Sequence, residues 1–177
     1  MAAALFLLCA VVLAFVGGEG AWALIGTVVL AAAAGTTLPD LDTPLRLRHR
    51  SALLHSVLPV CAAALDPRTW PVAVGLAFGI GFHLTADLFP RTMRGFATIK
   101  LPLLGSIGTI WSYIWIVANI VANGMVAIDL LDRVAAPQAG RGALAAVGVV
   151  GIAYLLRTDG GWKALIALTV VGWLALR

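Results

Sequence analysis

The charges of this chain gather in a few short stretches, and between them run long apolar segments, beginning with Ala2 to Val16. A water-soluble domain must make a polar surface, and a chain with 62% hydrophobic and 11% charged residues and a mean hydropathy of +1.02 has too little material for one. Lipid is therefore the expected solvent, and the charged stretches are the expected loops.

A membrane-spanning helix needs roughly 20 apolar residues, with about 17 at the low end. That rule places candidate spans at 2–17, 21–38, 51–66, 71–89, 106–131, 142–157 and 163–177. The sequence thus predicts an all-α, polytopic transmembrane bundle of seven helices in one domain over residues 1–177. The count falls to six if one of the two short final segments lies in the interface. Gly17-Gly18-Glu19-Gly20 marks a tight turn after the first helix, and Asp66-Pro67-Arg68-Thr69-Trp70-Pro71 marks one between the third and fourth, which makes those two an antiparallel pair.

Several function classes recede at this stage. The net charge of +4 comes from basic residues scattered between apolar segments, with no basic helix or tail, so anionic lipid headgroups or a phosphate-bearing substrate suit it better than nucleic acid. Cys9 and Cys61 sit inside apolar runs without C-x-x-C spacing, as small core residues do. The first segment lacks a basic n-region and a clear cleavage site, which favours a retained helix over a signal peptide. The region 37–95 has no counterpart in 106–177, which counts against an inverted-repeat transporter.

Polar chemistry concentrates in one third of the chain. All three histidines, at 49, 55 and 83, fall between residues 40 and 87, together with Asp40, Asp42 and Asp87. Asp40 and Asp42 follow Pro39 in an irregular segment where alternate residues can face one side. His55 is expected one helical turn below a start at Ser51, a plausible N-cap. His83 and Asp87, four apart, share a face near the end of the antiparallel fourth helix. Each has an ordinary explanation alone: helix caps, a satisfied core imidazole, an intrahelical pair. Three segments delivering acids and imidazoles to one depth, with no lysine among them, point instead to a bound cation. Mixed nitrogen and oxygen donors favour zinc, then manganese, as one or two divalent ions. Arg46, Arg48 and Arg50 in one loop and Arg91, Arg94 and Lys100 in another ring this site, and guanidinium forks bind phosphate. The positive-inside rule explains the same residues without a substrate.

The ordered set Leu38-Pro39-Asp40-Leu41-Asp42, His49-Arg50 with His55-Ser56, and Gly81-Phe82-His83-Leu84-Thr85-Ala86-Asp87 resembles the YdjM/YbcI-type family of prokaryotic inner-membrane metal-dependent hydrolases. The likeness covers about residues 36–95. It implies a multi-pass protein of the cytoplasmic (inner) membrane, with metal ligands at Asp40, Asp42, His55, His83 and Asp87. Two departures stand out: the first helix has no histidine, and Leu54 rather than threonine precedes His55.

These features together lead to an expected metal-dependent hydrolase acting on a phosphate-bearing lipid or polyprenyl substrate at headgroup depth. His49 would be a ligand or proton shuttle, and Arg50 and Arg94 would steady developing negative charge. The competing expectations are a divalent-cation transporter or channel, and a membrane subunit stapled by its metal.

Overall fold

The computed structural model describes residues 2–18, 20–47, 49–90, 93 and 95–175. Among them it is all-α: seven α-helices and a single hairpin of two-residue strands. The helices are α1 Ala2–Val16, α2 Ala21–Gly35, α3 Leu58–Ala63, α4 Trp70–Asp87, α5 Gly108–Val134, α6 Pro137–Leu155 and α7 Gly161–Ala175. The strands are β1 Lys100–Leu101 and β2 Gly105–Ser106. Three stretches, Pro67–Asp87, Gly108–Val134 and Pro137–Leu155, are long and apolar enough to cross a membrane. Large apolar side chains such as Ile110, Trp111, Met125, Val149 and Ile152 point outward without protein cover, as suits a chain that associates with lipid.

The third expected span does not exist. Residues 51–57 run through turns, and only the six residues of α3 are helical. Pro59 supplies the reason. Inside a helix starting at Ser51 it would lack an N–H and would clash with the carbonyl of His55, whereas in the first turn of α3 it costs nothing. Non-helical backbone buried in the protein must find its hydrogen bonds there. Here α5 provides them: Trp115 Nε1 donates to the His55 carbonyl at 2.9 Å, and Asn119 Oδ1 accepts from the Val57 N–H at 2.9 Å. Neither His55 at helical depth nor Ser51 as an N-cap survives; Ser51 instead bridges to Lys100 beside β1.

The sixth helix is longer than hydropathy suggests, because Pro137 opens it in the first turn and the polar Gln138 and Arg141 are part of it.

The centre of the bundle is α4, packed closely on α2. Gly75 and Gly79, a G-x-x-x-G pair, bring the α4 backbone against α2 so tightly that a Cβ at either would run into the Val28 or Ala32 carbonyl oxygen. Across the same seam, a Cβ on Gly35 would sit 2.8 Å from the Leu76 carbonyl oxygen. Backbone cannot yield as a side chain can. Gly79→Leu is therefore expected to cost at least about 1–3 kcal/mol, read as a lower melting temperature in detergent; wild-type melting would show that the two helices are not held by this seam.

A candidate metal centre

The close seam sets the carboxyl end of α2 beside His83 on α4. His83 Nδ1 lies 3.0 Å from the Thr36 carbonyl oxygen, and the Tyr154 hydroxyl of α6 stands at the same distance. A carbonyl can only accept, so Nδ1 donates to it and Nε2 is the nitrogen directed at Asp87. His55 repeats the arrangement: its Nδ1 is 3.2 Å from the Ser51 carbonyl oxygen, and its Nε2 is turned towards Asp87. The two rings meet edge to face with centroids 5.3 Å apart.

Both Nε2 atoms face one carboxylate oxygen. Asp87 Oδ2 is 3.5 Å from His55 Nε2 and 3.6 Å from His83 Nε2. It is buried and has no hydrogen-bond partner among the described residues. The other oxygen, Oδ1, is taken by Arg50 at 2.6 Å. Two imidazole nitrogens and a carboxylate oxygen thus converge in a buried space, an arrangement of donors that a bound cation would satisfy. In a tetrahedral zinc site with bonds of about 2.0–2.1 Å, neighbouring donors stand about 3.4 Å apart; the two distances to Asp87 are close to this, and all three donor atoms lie within 4.8 Å of one another. His55, His83 and Asp87 form a group that could hold a metal ion, and two imidazoles with one carboxylate leave further coordination positions open.

The remaining expected site residues are placed differently. Asp40 Oδ1 reaches within 4.0 Å of His83 Nε2 from an exposed position, so it stands at the rim of the group. Asp42, expected as a ligand, is wholly buried and turned into its own loop. It accepts the N–H of Arg50 through a very short contact, the N–H of Ser51 at 3.4 Å and the Thr43 hydroxyl at 3.1 Å. This carboxylate braces a turn in which Arg46 and Arg50 both adopt left-handed backbone with φ of 56°, a conformation that non-glycine residues hold only when their surroundings insist. Asp42 therefore positions the site rather than facing it.

Arg50 departs from expectation in the same way. Its guanidinium is buried and engaged with Asp87 Oδ1, with the Ala97 carbonyl at 2.6 Å and with Met93 Sδ at 3.6 Å. An arginine so occupied orients a carboxylate instead of waiting for a phosphate. His49 lies in the loop, with Nδ1 3.8 Å from Asp42 Oδ1, and burial holds its imidazole below the usual value against the pull of that acid. Arg94, Arg48 and Arg91 lie outside the described residues.

Four contributors were missed in the sequence. Thr36 acts through its carbonyl, which no side-chain pattern reveals. Tyr154 is a lone hydroxyl in an apolar run 71 residues from its partner. Trp115 left no such mark, but Asn119 did: with Ser112 and Asn123 it falls on one buried face of a mostly apolar helix, a pattern expected where polar backbone or a ligand needs partners. No family model, curated protein or solved structure matches the chain.

Proposed function

We propose that this chain is a membrane-embedded metal-dependent hydrolase, multi-pass in the inner membrane, that acts on a phosphate-bearing lipid or polyprenyl substrate. The observation that carries the proposal is Asp87 Oδ2, buried, without a hydrogen-bond partner among the described residues and facing the Nε2 atoms of two imidazoles. The YdjM/YbcI-type resemblance of residues 36–95 belongs to the same proposal.

His55, His83 and Asp87 would hold a divalent ion, zinc first and manganese second, which when bound would supply Lewis acidity and a more acidic water. The protein's own work is to prepare the donors. The Ser51 and Thr36 carbonyls fix the tautomers that turn both Nε2 atoms inward. Arg50 holds Asp87 by one oxygen so that the other stays directed at the imidazoles. Asp40 stands at the exposed edge, where it can add a fourth donor or take a proton from the attacking water.

The transporter alternative needs polar groups continuing below the site. Asn119 and Asn123 begin such a line on α5, but Asn119 is spent on the Val57 N–H, and Ala127, Leu130 and Leu131 follow as buried apolar residues.

Protein purified without chelator and assayed by elemental analysis should carry at least one transition metal per chain, zinc before manganese. A screen of lipid phosphates and esters should find turnover that stops on chelation and returns with the metal. A chain that binds neither ion would end this reading. Unfolding on chelation, without turnover in the loaded form, would favour the metal-stapled subunit.

A further inference from the structure

A cavity of about 510 Å³ opens between α1, α2 and α6, within the range of about 300–1,000 Å³ that holds a small-molecule ligand. Its walls differ along its length. Phe6, Ala33 and Val150 give one part an apolar lining, and Thr37, Tyr154 and Arg157 give the other a polar one. That second part lies at the site's own level, since Thr36 and Tyr154 border the cavity and both contact His83. His83 is a shared partition: Nε2 faces Asp87 on one side, and Nδ1 faces the cavity wall on the other.

Arg157 follows the last turn of α6. It is exposed, and its guanidinium has no hydrogen bond or ion pair to the described residues. This is the reverse of Arg50, whose donors are consumed inside the protein. A basic fork at the mouth of an apolar trough matches an amphiphile with an anionic head.

We infer that the α1–α2–α6 cavity binds the hydrocarbon chain of a phosphate-headed amphiphile, and that Arg157 receives the phosphate at the cavity's polar end, across His83 from Asp87. The inference rests on the proposed lipid-phosphate reading and assigns it a lipid-recognition residue beside the donor group. The same head is offered by a lysophospholipid and by a polyprenyl phosphate, and the trough decides between them by chain shape.

The test uses full-length protein in nanodiscs of neutral lipid, with lysophosphatidate, farnesyl phosphate, their uncharged alcohol counterparts and inorganic phosphate as probes, bound amounts being read by native mass spectrometry. Wild type should prefer the phosphate amphiphiles over their alcohols by about tenfold or more, the size of one charge-assisted contact at a partly wet rim. The stronger of the two phosphate amphiphiles identifies the chain type. Arg157→Gln should abolish the preference while leaving metal content unchanged, and Ala153→Trp, which fills the trough, should weaken both classes. Inorganic phosphate should bind more weakly than either amphiphile. Equal binding of phosphate and alcohol by wild type, or an undiminished preference in Arg157→Gln, would overturn the inference, as would unaltered binding in Ala153→Trp. Metal content separates the two proposals: a metal-free protein that keeps the Arg157-dependent preference fails as a hydrolase but retains its lipid site, and a metal-loaded protein without the preference does the opposite.

Discussion

Asp87→Asn should release bound metal almost completely, and His83→Ala should do the same. Asparagine keeps the shape of Asp87 but replaces a charged donor oxygen with a neutral amide, so the group that gathers His55 and His83 loses its anion. Changes to partners behind a ligand typically cost 10–100-fold in metal affinity, and loss of a ligand itself should exceed roughly a hundredfold. A second consequence separates the two variants. Asp87→Asn leaves the buried Arg50 guanidinium without its counter-ion, and an uncompensated buried charge costs about 3–5 kcal/mol. His83→Ala leaves that pair intact. Both should therefore lose metal, but Asp87→Asn should also melt lower in the metal-free state. The control is Asp129→Ala, which breaks only an exposed pair with Arg133 near the far end of α5; it should alter neither metal nor folding. Chelator competition beside thermal unfolding in detergent reads both quantities. Wild-type metal affinity in Asp87→Asn would remove α4 from the site and end the one-centre account.

The parts of this site that were legible in the sequence are those encoded by local spacing. His83 and Asp87 share a helical face because four residues make about one turn, and their helix could be read from its apolar run and the prolines before it. The turn at Gly17–Gly20 was visible for a similar reason, since glycine there admits the positive φ that Gly18 adopts. What failed was the treatment of apolar content as helix. Residues 51–66 are apolar enough, but Pro59 forbids the hydrogen bond that would carry a helix up to His55, and hydropathy does not see hydrogen bonds. The contacts of Asp42 and Arg50 were not legible, because composition places a charge in a loop without revealing what it touches. The left-handed turn at Arg46 and Arg50 points one charge inward as a brace and the other inward as a clamp. Long-range partners such as Tyr154 follow from packing between α4 and α6, which no single-chain pattern encodes.

Arg50 is where the two readings diverge most sharply in outcome. As a phosphate-binding residue it would be dispensable for metal, and Arg50→Ala would impair only substrate handling. The structure argues otherwise. Arg50 ties the loop after Asp42 to Asp87 and to the Ala97 carbonyl at once, so its removal frees Asp87 Oδ1, strands the Ala97 carbonyl and loosens the segment that carries His55. Arg50→Ala should therefore lower metal affinity by about 10–100-fold, as loss of the group that orients a ligating carboxylate does, even though Arg50 touches no metal itself. Arg50→Lys should recover part of this: a lysine can reach Asp87 as a point charge, but it cannot span both acceptors as a fork. The measurement is metal affinity by chelator competition for wild type and the two variants, with folded yield recorded alongside. An order of wild type, then lysine, then alanine supports the clamp. Unchanged metal affinity in Arg50→Ala, with turnover lost only on phosphate-bearing substrates, would return Arg50 to the substrate and leave Asp87 to be held by the metal alone.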